Sequence, residues 1–127
     1  MKFLGRYGEY AYALLRIVSG LTFLAHGVQK HLGFPTAFPY PLSPMSSAAG
    51  FIELVAGALI VIGLFTRPAA FIASGMSAVG YWMVHAPNGF YPITNGGELL
   101  VLYCFIFLFV SARGAGVCGI DSLRRRG

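Results

Sequence analysis

The sequence predicts an all-α fold: an integral membrane four-helix bundle, up-down-up-down, with N and C termini cytoplasmic. Composition is the first reason, because 57% of the 127 residues are hydrophobic and only 10% are charged, whereas a soluble domain is about a quarter charged. The second reason is a set of four apolar stretches, each near the roughly 20 residues that a helix needs to cross a bilayer. They are residues 10–27, 47–65, 69–85 and 98–112. A chain of this length is expected to form one domain, 1–127.

The four apolar stretches are predicted as helices because they are long and show no alternation of apolar and polar residues. In lipid, only helices and closed barrels satisfy every backbone hydrogen bond. The first stretch contains Arg16 and lacks a small-x-small cleavage site, so it is expected to stay in the membrane rather than act as a cleaved signal peptide. The last two are slightly short, which local thinning of the bilayer would accommodate.

The basic residues set the predicted orientation, since Lys and Arg near helix ends stay in the cytoplasm. Most of them flank one side of the predicted spans: Lys2, Arg6, Arg67, Arg113, Arg124, Arg125 and Arg126. Only Lys30 lies in the connections on the other side, so a multi-pass protein of the cytoplasmic (inner) membrane is predicted. The net charge of +5 then fits contact with anionic lipid head groups of the bilayer, and no nucleic-acid partner is expected.

The connections carry turn signals. Prolines and aromatic residues fill residues 32–46, which predicts either a semi-rigid cap on the outer mouth of the bundle or an interfacial loop without a function. Thr66-Arg67-Pro68 predicts a tight hairpin, so the second and third helices are expected to be antiparallel neighbours. Glu98 follows Asn95 at the spacing of a capping box, and it is expected either to cap the fourth helix or to take part in chemistry.

Ionisable residues inside a bilayer cost several kcal/mol unless they are paired or solvated, which makes each one a candidate functional residue. Helical periodicity places Arg16, His26 and Lys30 on one face of the first helix. The second helix has Glu53 among small residues, and the third ends in His85. Because alternate helices run in opposite directions, all of these except Arg16 are expected in the outer half of the bilayer. They predict a pocket that opens to the extracytoplasmic side.

Two kinds of role are expected in this pocket. Carboxylate and imidazole groups can move protons, so catalytic roles are predicted for Glu53, His85 and His26. Cationic, carboxylate and phenol groups are predicted to bind substrate: Arg16, Lys30, Glu98 and Tyr81. A structural interpretation stays open for each, in which Arg16 snorkels or pairs and Lys30 anchors its helix at the interface.

At these residues the sequence resembles the DoxX family of small four-helix membrane proteins, from about Tyr10 to Leu123. Four segments carry the resemblance: Leu-Leu-Arg-Ile at 14–17 with His26-Gly27 and Lys30, Phe51-Ile52-Glu53, Gly63-Leu64-Phe65-Thr66-Arg67, and Gly116 to Ser122 with Ile120-Asp121. The chain departs from the family pattern at Cys118 and Gly119 and in its proline-rich loop. The resemblance implies a membrane subunit linked to quinone-dependent redox chemistry. Members act in thiosulfate oxidation, accompany terminal quinol oxidases, or are thought to scaffold thiol and oxidative-stress enzymes.

Two functions are therefore expected. The first is a subunit of a quinone-linked oxidoreductase acting on small sulfur compounds or thiols, with quinone as a membrane-borne co-substrate and electrons passing directly or through redox partner subunits. The alternative is a non-enzymatic membrane anchor or assembly subunit of a redox or stress-response complex. A haem held by His26 and His85 and a small transporter are further alternatives. Cys104 and Cys118 show no metal-ligand spacing, so no metal is predicted. No haem is predicted either, because a chance pair of histidines is commoner than a haem site. A homo-oligomer is compatible with the small size of the bundle.

Overall fold

The computed structural model describes residues 5–33 and 43–126. Within these ranges the chain is helical and contains no β-strand, so the all-α prediction is confirmed. The helices are α1 (Gly8–Leu32), α2 (Pro44–Ile62), α3 (Thr66–Gly80), α4 (Pro92–Asn95), α5 (Glu98–Arg113) and α6 (Ile120–Arg126). Lys2, residues 34–42 of the predicted proline-rich cap, and the side chains of Arg124, Arg125 and Arg126 lie outside the described part.

Capping residues decide where the first two helices begin and end. α1 runs to Leu32 rather than residue 27, and Gly33 closes it in the left-handed conformation (φ 67°). α2 begins at Pro44, where the Ser43 side chain accepts the N–H of Ser46. It ends at Ile62 because Gly63 is also left-handed (φ 72°). The predicted span 47–65 is therefore shifted toward the N-terminus.

The chain reverses at residues 63–65, one turn earlier than predicted. Thr66, Arg67 and Pro68 form the first turn of α3 and not the connecting hairpin. At its other end α3 continues through a π-helical turn, Tyr81–His85, and a 3-10 turn, Ala86–Asn88. A π-helical turn contains one more residue than an α-helical turn and frequently occurs at functional positions.

Within the described ranges, two helices are long and apolar enough to cross a membrane by length and composition. They are α1, with a mean hydropathy of 1.4, and α2, with a mean hydropathy of 2.0. α3 and α5 contain 15 and 16 residues, slightly fewer than the roughly 17–25 residues of a typical spanning helix. Two of the four predicted spans therefore have the expected length and hydropathy.

α1 and α2 pack as an antiparallel pair along four glycines, Gly20, Gly27, Gly50 and Gly57, which we call the glycine seam. A Cβ atom at Gly27 would lie 2.7 Å from the Gly50 carbonyl oxygen, and one at Gly57 would lie 2.9 Å from the Cα of Leu24. A side chain does not fit at such distances, so the two backbones approach as closely as small-residue helix interfaces allow. The seam fixes the register of α1 against α2.

α3 and α5 form a second antiparallel pair, in which the Ser111 hydroxyl of α5 donates to the Arg67 carbonyl at the start of α3 (2.9 Å). The two pairs meet in an aromatic core. Phe23 of α1 is fully buried and contacts Tyr103 and Phe107 of α5, with ring centroids 5.5 and 5.1 Å apart. This core holds α1 against α5.

The start of α1 and the α6 tail lie at one end of the bundle, which we call the termini end. The Tyr12 hydroxyl of α1 donates to the Gly114 carbonyl after α5 (2.6 Å). Asp121 of α6 accepts the backbone N–H groups of Phe65 (3.0 Å) and Thr66 (2.9 Å), so the tail caps the start of α3. The orientation of this end toward the cytoplasm stays a prediction.

We expect Asp121→Ala to lower the free energy of unfolding by about 1–2 kcal/mol, because two N–H groups at the start of α3 would lose their acceptor. Thermal unfolding in detergent, followed by circular dichroism, measures the loss. Asp121→Asn keeps one oxygen acceptor and should lose less. Wild-type stability in Asp121→Ala would show that the tail does not cap α3.

Candidate functional site

A buried ion pair lies between α1 and α2, at the end of the bundle opposite the termini, which we call the far end. Lys30, in the last turn of α1, places its Nζ 2.8 Å from Oε1 of Glu53. The glycine seam sets this contact, since Gly27 and Gly50 hold the two backbones together one turn away. Glu53 is only 4% exposed, and a buried carboxylate needs such a partner. Both residues belong to the predicted site, and the structure brings them together.

His26 meets Tyr103 of α5 edge-on, with ring centroids 6.2 Å apart. Tyr103 is 3% exposed, and its hydroxyl makes no hydrogen bond to any residue that the structure describes. The neighbouring Thr22 hydroxyl donates to the backbone of its own helix (3.0 Å), and Glu53 lies within electrostatic range of the phenol. A buried phenol, an imidazole and a carboxylate therefore lie near one another in the interior of the bundle.

Tyr103 is absent from the predicted site because an aromatic residue in an apolar helix normally belongs to the core. It does pack there, stacked on Phe107 with ring centroids 5.4 Å apart. The hydroxyl is the one signal that could have identified it, since phenylalanine would fill the same space and a buried tyrosine usually finds a hydrogen-bond partner.

A second polar group forms where α3 ends. Nδ1 of His85 lies 3.1 Å from the Asn95 carbonyl oxygen, and the Asn95 side chain donates to the Tyr81 hydroxyl (3.1 Å). The π-helical turn holds Tyr81 and His85 at its two ends, and both contact Asn95. Because a carbonyl can only accept, a neutral His85 carries its proton on Nδ1 and presents Nε2 as the proton acceptor. Asn95, which links the two predicted residues, is buried. It is not among the predicted site residues, because its sequence context indicates only a turn.

Glu98 is the first residue of α5 and is exposed. The predicted capping box is wrong, because Gly97 is the N-cap residue and makes no side-chain cap bond. The Asn95 side-chain oxygen accepts the N–H of Gly97 (2.8 Å), and its amide donates to the Tyr81 hydroxyl and to the Gly89 carbonyl (3.0 Å), so Asn95 holds the turn before α5 and bonds no N–H group of the helix itself.

Arg16 lies at the termini end, away from the other predicted site residues. It is fully buried, and its guanidinium donates to the carbonyls of Ala115 (2.5 Å), Cys118 (3.1 Å) and Val61 (3.5 Å). Lys30 lies almost four turns further along α1, roughly 21 Å away at 1.5 Å per residue. The structure therefore does not bring Arg16 and Lys30 together around one substrate.

Two open cavities, each of about 620 Å³, lie at the termini end of the described chain. The first is bordered by Glu9, Arg67, Arg113 and Asp121. The second lies next to it along residues 116–120. Neither is formed by the polar groups of the far end, where the sequence predicts a pocket.

The described residues contain no cluster of three or more His, Cys, Asp or Glu side chains that could hold a metal ion. His26 and His85 make separate contacts, with Tyr103 and Asn95 respectively. Cys104 and Cys118 are both free thiols.

Comparison with known proteins gives one family and two relatives. The family model described as DoxX matches residues 11–86, which include α1, α2, α3 and the π-helical turn. A Haemophilus influenzae protein described as uncharacterized is 43% identical over 129 residues, covering 96% of this chain and 96% of its own. A second uncharacterized protein of that organism is 24% identical over 124 residues, covering 89% of this chain and 82% of its own. No solved structure matches the chain.

Proposed function

The chain belongs to the DoxX family, and from this premise we propose that it is a four-span subunit of the cytoplasmic membrane that serves quinone-linked oxidation of small sulfur compounds or thiols. The observation that carries the proposal is the buried Lys30–Glu53 pair. Beside it lie the His26 ring and the Tyr103 hydroxyl, which no described residue bonds. Ionisable groups are costly inside a membrane and commonly mark a proton or substrate path.

Four spans are supported by the outward faces of the long helices. Large exposed apolar side chains occur on each of them: Leu14 and Val18 on α1, Phe51 and Val55 on α2, Phe71 and Ile72 on α3, and Phe105 and Phe109 on α5. Soluble monomers rarely expose contiguous apolar patches of this kind. With the π-helical turn, the segment that begins as α3 extends to His85, about 30 Å, which is sufficient for a span. α5 is about 24 Å long and would need local thinning of the bilayer.

The far-end residues suit a redox reaction that also moves protons. A bound quinone accepts two electrons and two protons, which two thiols release when they form a disulfide, so the reaction balances without a further oxidant. Two thiosulfate ions would release two electrons when they form tetrathionate, and both protons would then come from the solution. The Tyr103 hydroxyl would donate a hydrogen bond to a carbonyl oxygen, which satisfies its missing partner. His26 and Glu53 would take up and release protons, with Lys30 holding the Glu53 carboxylate in place.

His85 would exchange protons with the outer solution through Nε2, because Nδ1 is committed to the Asn95 carbonyl. Tyr81 would fix that arrangement through its own bond to Asn95. The exposed Glu98 would contact the sulfur substrate as it approaches the far end from the outer solution. Electrons would arrive from the sulfur compound directly or through a redox partner subunit.

Quinone reduction by purified protein in lipid nanodiscs, with thiosulfate or a small thiol as donor, tests this function. We expect Glu53→Gln to lower the rate by about 100-fold or more, since proton-transfer groups contribute roughly 10²–10⁴-fold. Gln preserves the size of the side chain and an acceptor for Lys30, so folding should survive. Tyr91→Phe, which alters an exposed far-end tyrosine, is the matched control and should keep the wild-type rate. An active wild type with an equally active Glu53→Gln would exclude the proposed role.

The second candidate is a non-enzymatic membrane anchor or assembly subunit, and the contacts of Arg16 favour it. This buried guanidinium donates to three backbone carbonyls, two of which, those of Ala115 and Cys118, lie in the tail. In that case a folded wild type reduces no quinone with any donor, while a redox enzyme is recovered with the protein from native membranes. Arg16→Leu should then reduce that recovery more than Glu53→Gln does.

A further inference from the structure

We propose that the cavity bordered by Glu9, Arg67, Arg113 and Asp121 binds the phosphoethanolamine headgroup of a membrane phospholipid. The cavity lies at the termini end, on the opposite side of the bundle from Glu53, so this binding is independent of the proposed redox function. Its volume of about 620 Å³ falls within the range of about 300–1,000 Å³ that small-molecule sites occupy.

The charges of this cavity match a zwitterion. Two arginines and two carboxylates line it, so a purely anionic ligand would meet two like charges. Asp121 already accepts two backbone N–H groups at the start of α3. Arg67 donates to the carbonyls of Ala112 (2.5 Å) and Arg113 (3.2 Å) at the end of α5. These bonds hold Arg67 at the wall of the cavity, and its guanidinium has five N–H groups to share.

Arg113 and Glu9 are the two groups most suited to exchange partners. Their side chains are 42% and 67% exposed and lie 3.7 Å apart, which is a weak surface pair. Arg113 stacks over the Tyr12 ring, 4.7 Å from its centroid, so its guanidinium keeps a fixed place. In the bound state the lipid phosphate would contact Arg113 and Arg67, and the ammonium group would contact Glu9. These charge-assisted contacts would replace the weak pair between Arg113 and Glu9.

Thr66 gives an independent sign of a ligand. The residue is fully buried and lines the same cavity. Its hydroxyl has no hydrogen-bond partner among the residues described, although its backbone N–H is bonded to Asp121. Buried hydroxyls are rarely left in this state. A phosphate oxygen, directly or through water, would supply the missing partner.

The surface beside the cavity favours a lipid over free phosphate. Phe65 lies at the rim and is exposed, and Ile72 and Val79 continue the exposed apolar surface along α3. These residues are seven positions apart, which is close to two helical turns, so they form one strip that leads away from the termini end. Acyl chains of a bound lipid would lie along this strip while the headgroup occupies the cavity.

Binding to the purified full-length protein in detergent, measured by native mass spectrometry and by thermal stabilisation, tests the proposal. We expect phosphatidylethanolamine to bind at least about tenfold more tightly than phosphatidylglycerol, and inorganic phosphate to compete only weakly. The double variant Glu9→Gln/Arg113→Gln keeps the net charge and removes both exposed partners, so it should lose at least about tenfold in affinity. Arg6→Gln, an exposed arginine outside the cavity lining, should bind as the wild type does.

Three results would overturn the proposal. Equal binding of phosphatidylglycerol would remove the argument for a zwitterion, and full competition by inorganic phosphate would assign the site to a soluble anion. Wild-type lipid affinity in a folded double variant would place the lipid elsewhere. Unfolding of each lipid-free variant shows whether it has kept its structure. Both substituted side chains are exposed and the double variant loses the stacking of Arg113 on Tyr12, so we expect its midpoint to lie within a few degrees of the wild type.

Discussion

Lys30→Met is expected to lower the free energy of unfolding by about 3–5 kcal/mol, because it leaves the Glu53 carboxylate buried without its cation. The two side chains are 2.8 Å apart and only 16% and 6% exposed. Unfolding in mixed detergent micelles, followed by circular dichroism, measures the change. Glu53→Met should cost less, since the remaining lysine has a long apolar stem and can carry its ammonium group toward the helix end.

The double variant Lys30→Met/Glu53→Met is the control for this prediction. Replacing a buried ion pair by apolar groups of similar volume is often neutral or stabilising, so the double variant should recover most of the stability that Lys30→Met loses. A double variant as unstable as Lys30→Met would show that packing of the lysine stem, and not the unpaired carboxylate, causes the loss. The same variant should reduce no quinone, which separates the stability of the pair from its proposed chemistry.

Gly27→Ala is expected to cost about 1–3 kcal/mol, or to separate α1 from α2 locally, because it adds a methyl group to a filled interface. The new Cβ would lie 2.7 Å from the Gly50 carbonyl oxygen and 2.8 Å from the Leu54 backbone nitrogen. Both are backbone atoms, so neither can move aside as a flexible side chain does. Thermal unfolding in detergent measures the loss.

Gly75→Ala is the matched control, since Gly75 lies within α3 and a Cβ there would meet nothing within 4 Å. Removing a helical glycine at an open position should raise stability by about 0.5–1 kcal/mol. Gly27→Ala and Gly75→Ala are therefore expected to change stability in opposite directions. If both changes had the same sign and size, helix propensity and not the glycine seam would control the effect.

The sequence predicts the helices well because their signal is local. Hydropathy identifies all four long helices. The predicted helix ends are wrong where a capping residue ends the helix, because the effect of a cap depends on its backbone conformation and not on its hydropathy. α2 ends at Ile62, three residues before the predicted end at residue 65, because Gly63 caps it. Hydropathy extends the prediction too far, since Leu64 and Phe65 are apolar and continue the pattern. The π-helical turn at Tyr81–His85 is bonded at its two ends to Asn95, fourteen and ten positions further along the chain, and periodicity alone does not predict such contacts.

The candidate site is predictable in part, because some of its residues also have a local signal in the sequence. Lys30 and Glu53 are identified because a charge inside an apolar helix is conspicuous, and the antiparallel arrangement of the helices places them at one level. Tyr103 and Asn95 carry no such signal, since one resembles a core aromatic and the other a turn residue. The position of Arg16 along α1 is predicted. Its hydrogen-bond partners are backbone carbonyls of the tail, and the order of side chains in a sequence does not indicate which backbone carbonyls lack a helical partner.

The contacts of the tail also set an order of events during synthesis. Arg16 leaves the ribosome with α1, whereas the carbonyls of Ala115 and Cys118 that receive its guanidinium come about a hundred residues later. The N–H groups at the start of α3 likewise wait for Asp121. N-terminal segments fold first during translation, so a nascent chain holds an arginine that lacks two of its three carbonyl partners, and an open helix end, until residues 115–121 have been made. The tail thus joins the fold only after all four long helices have been synthesised.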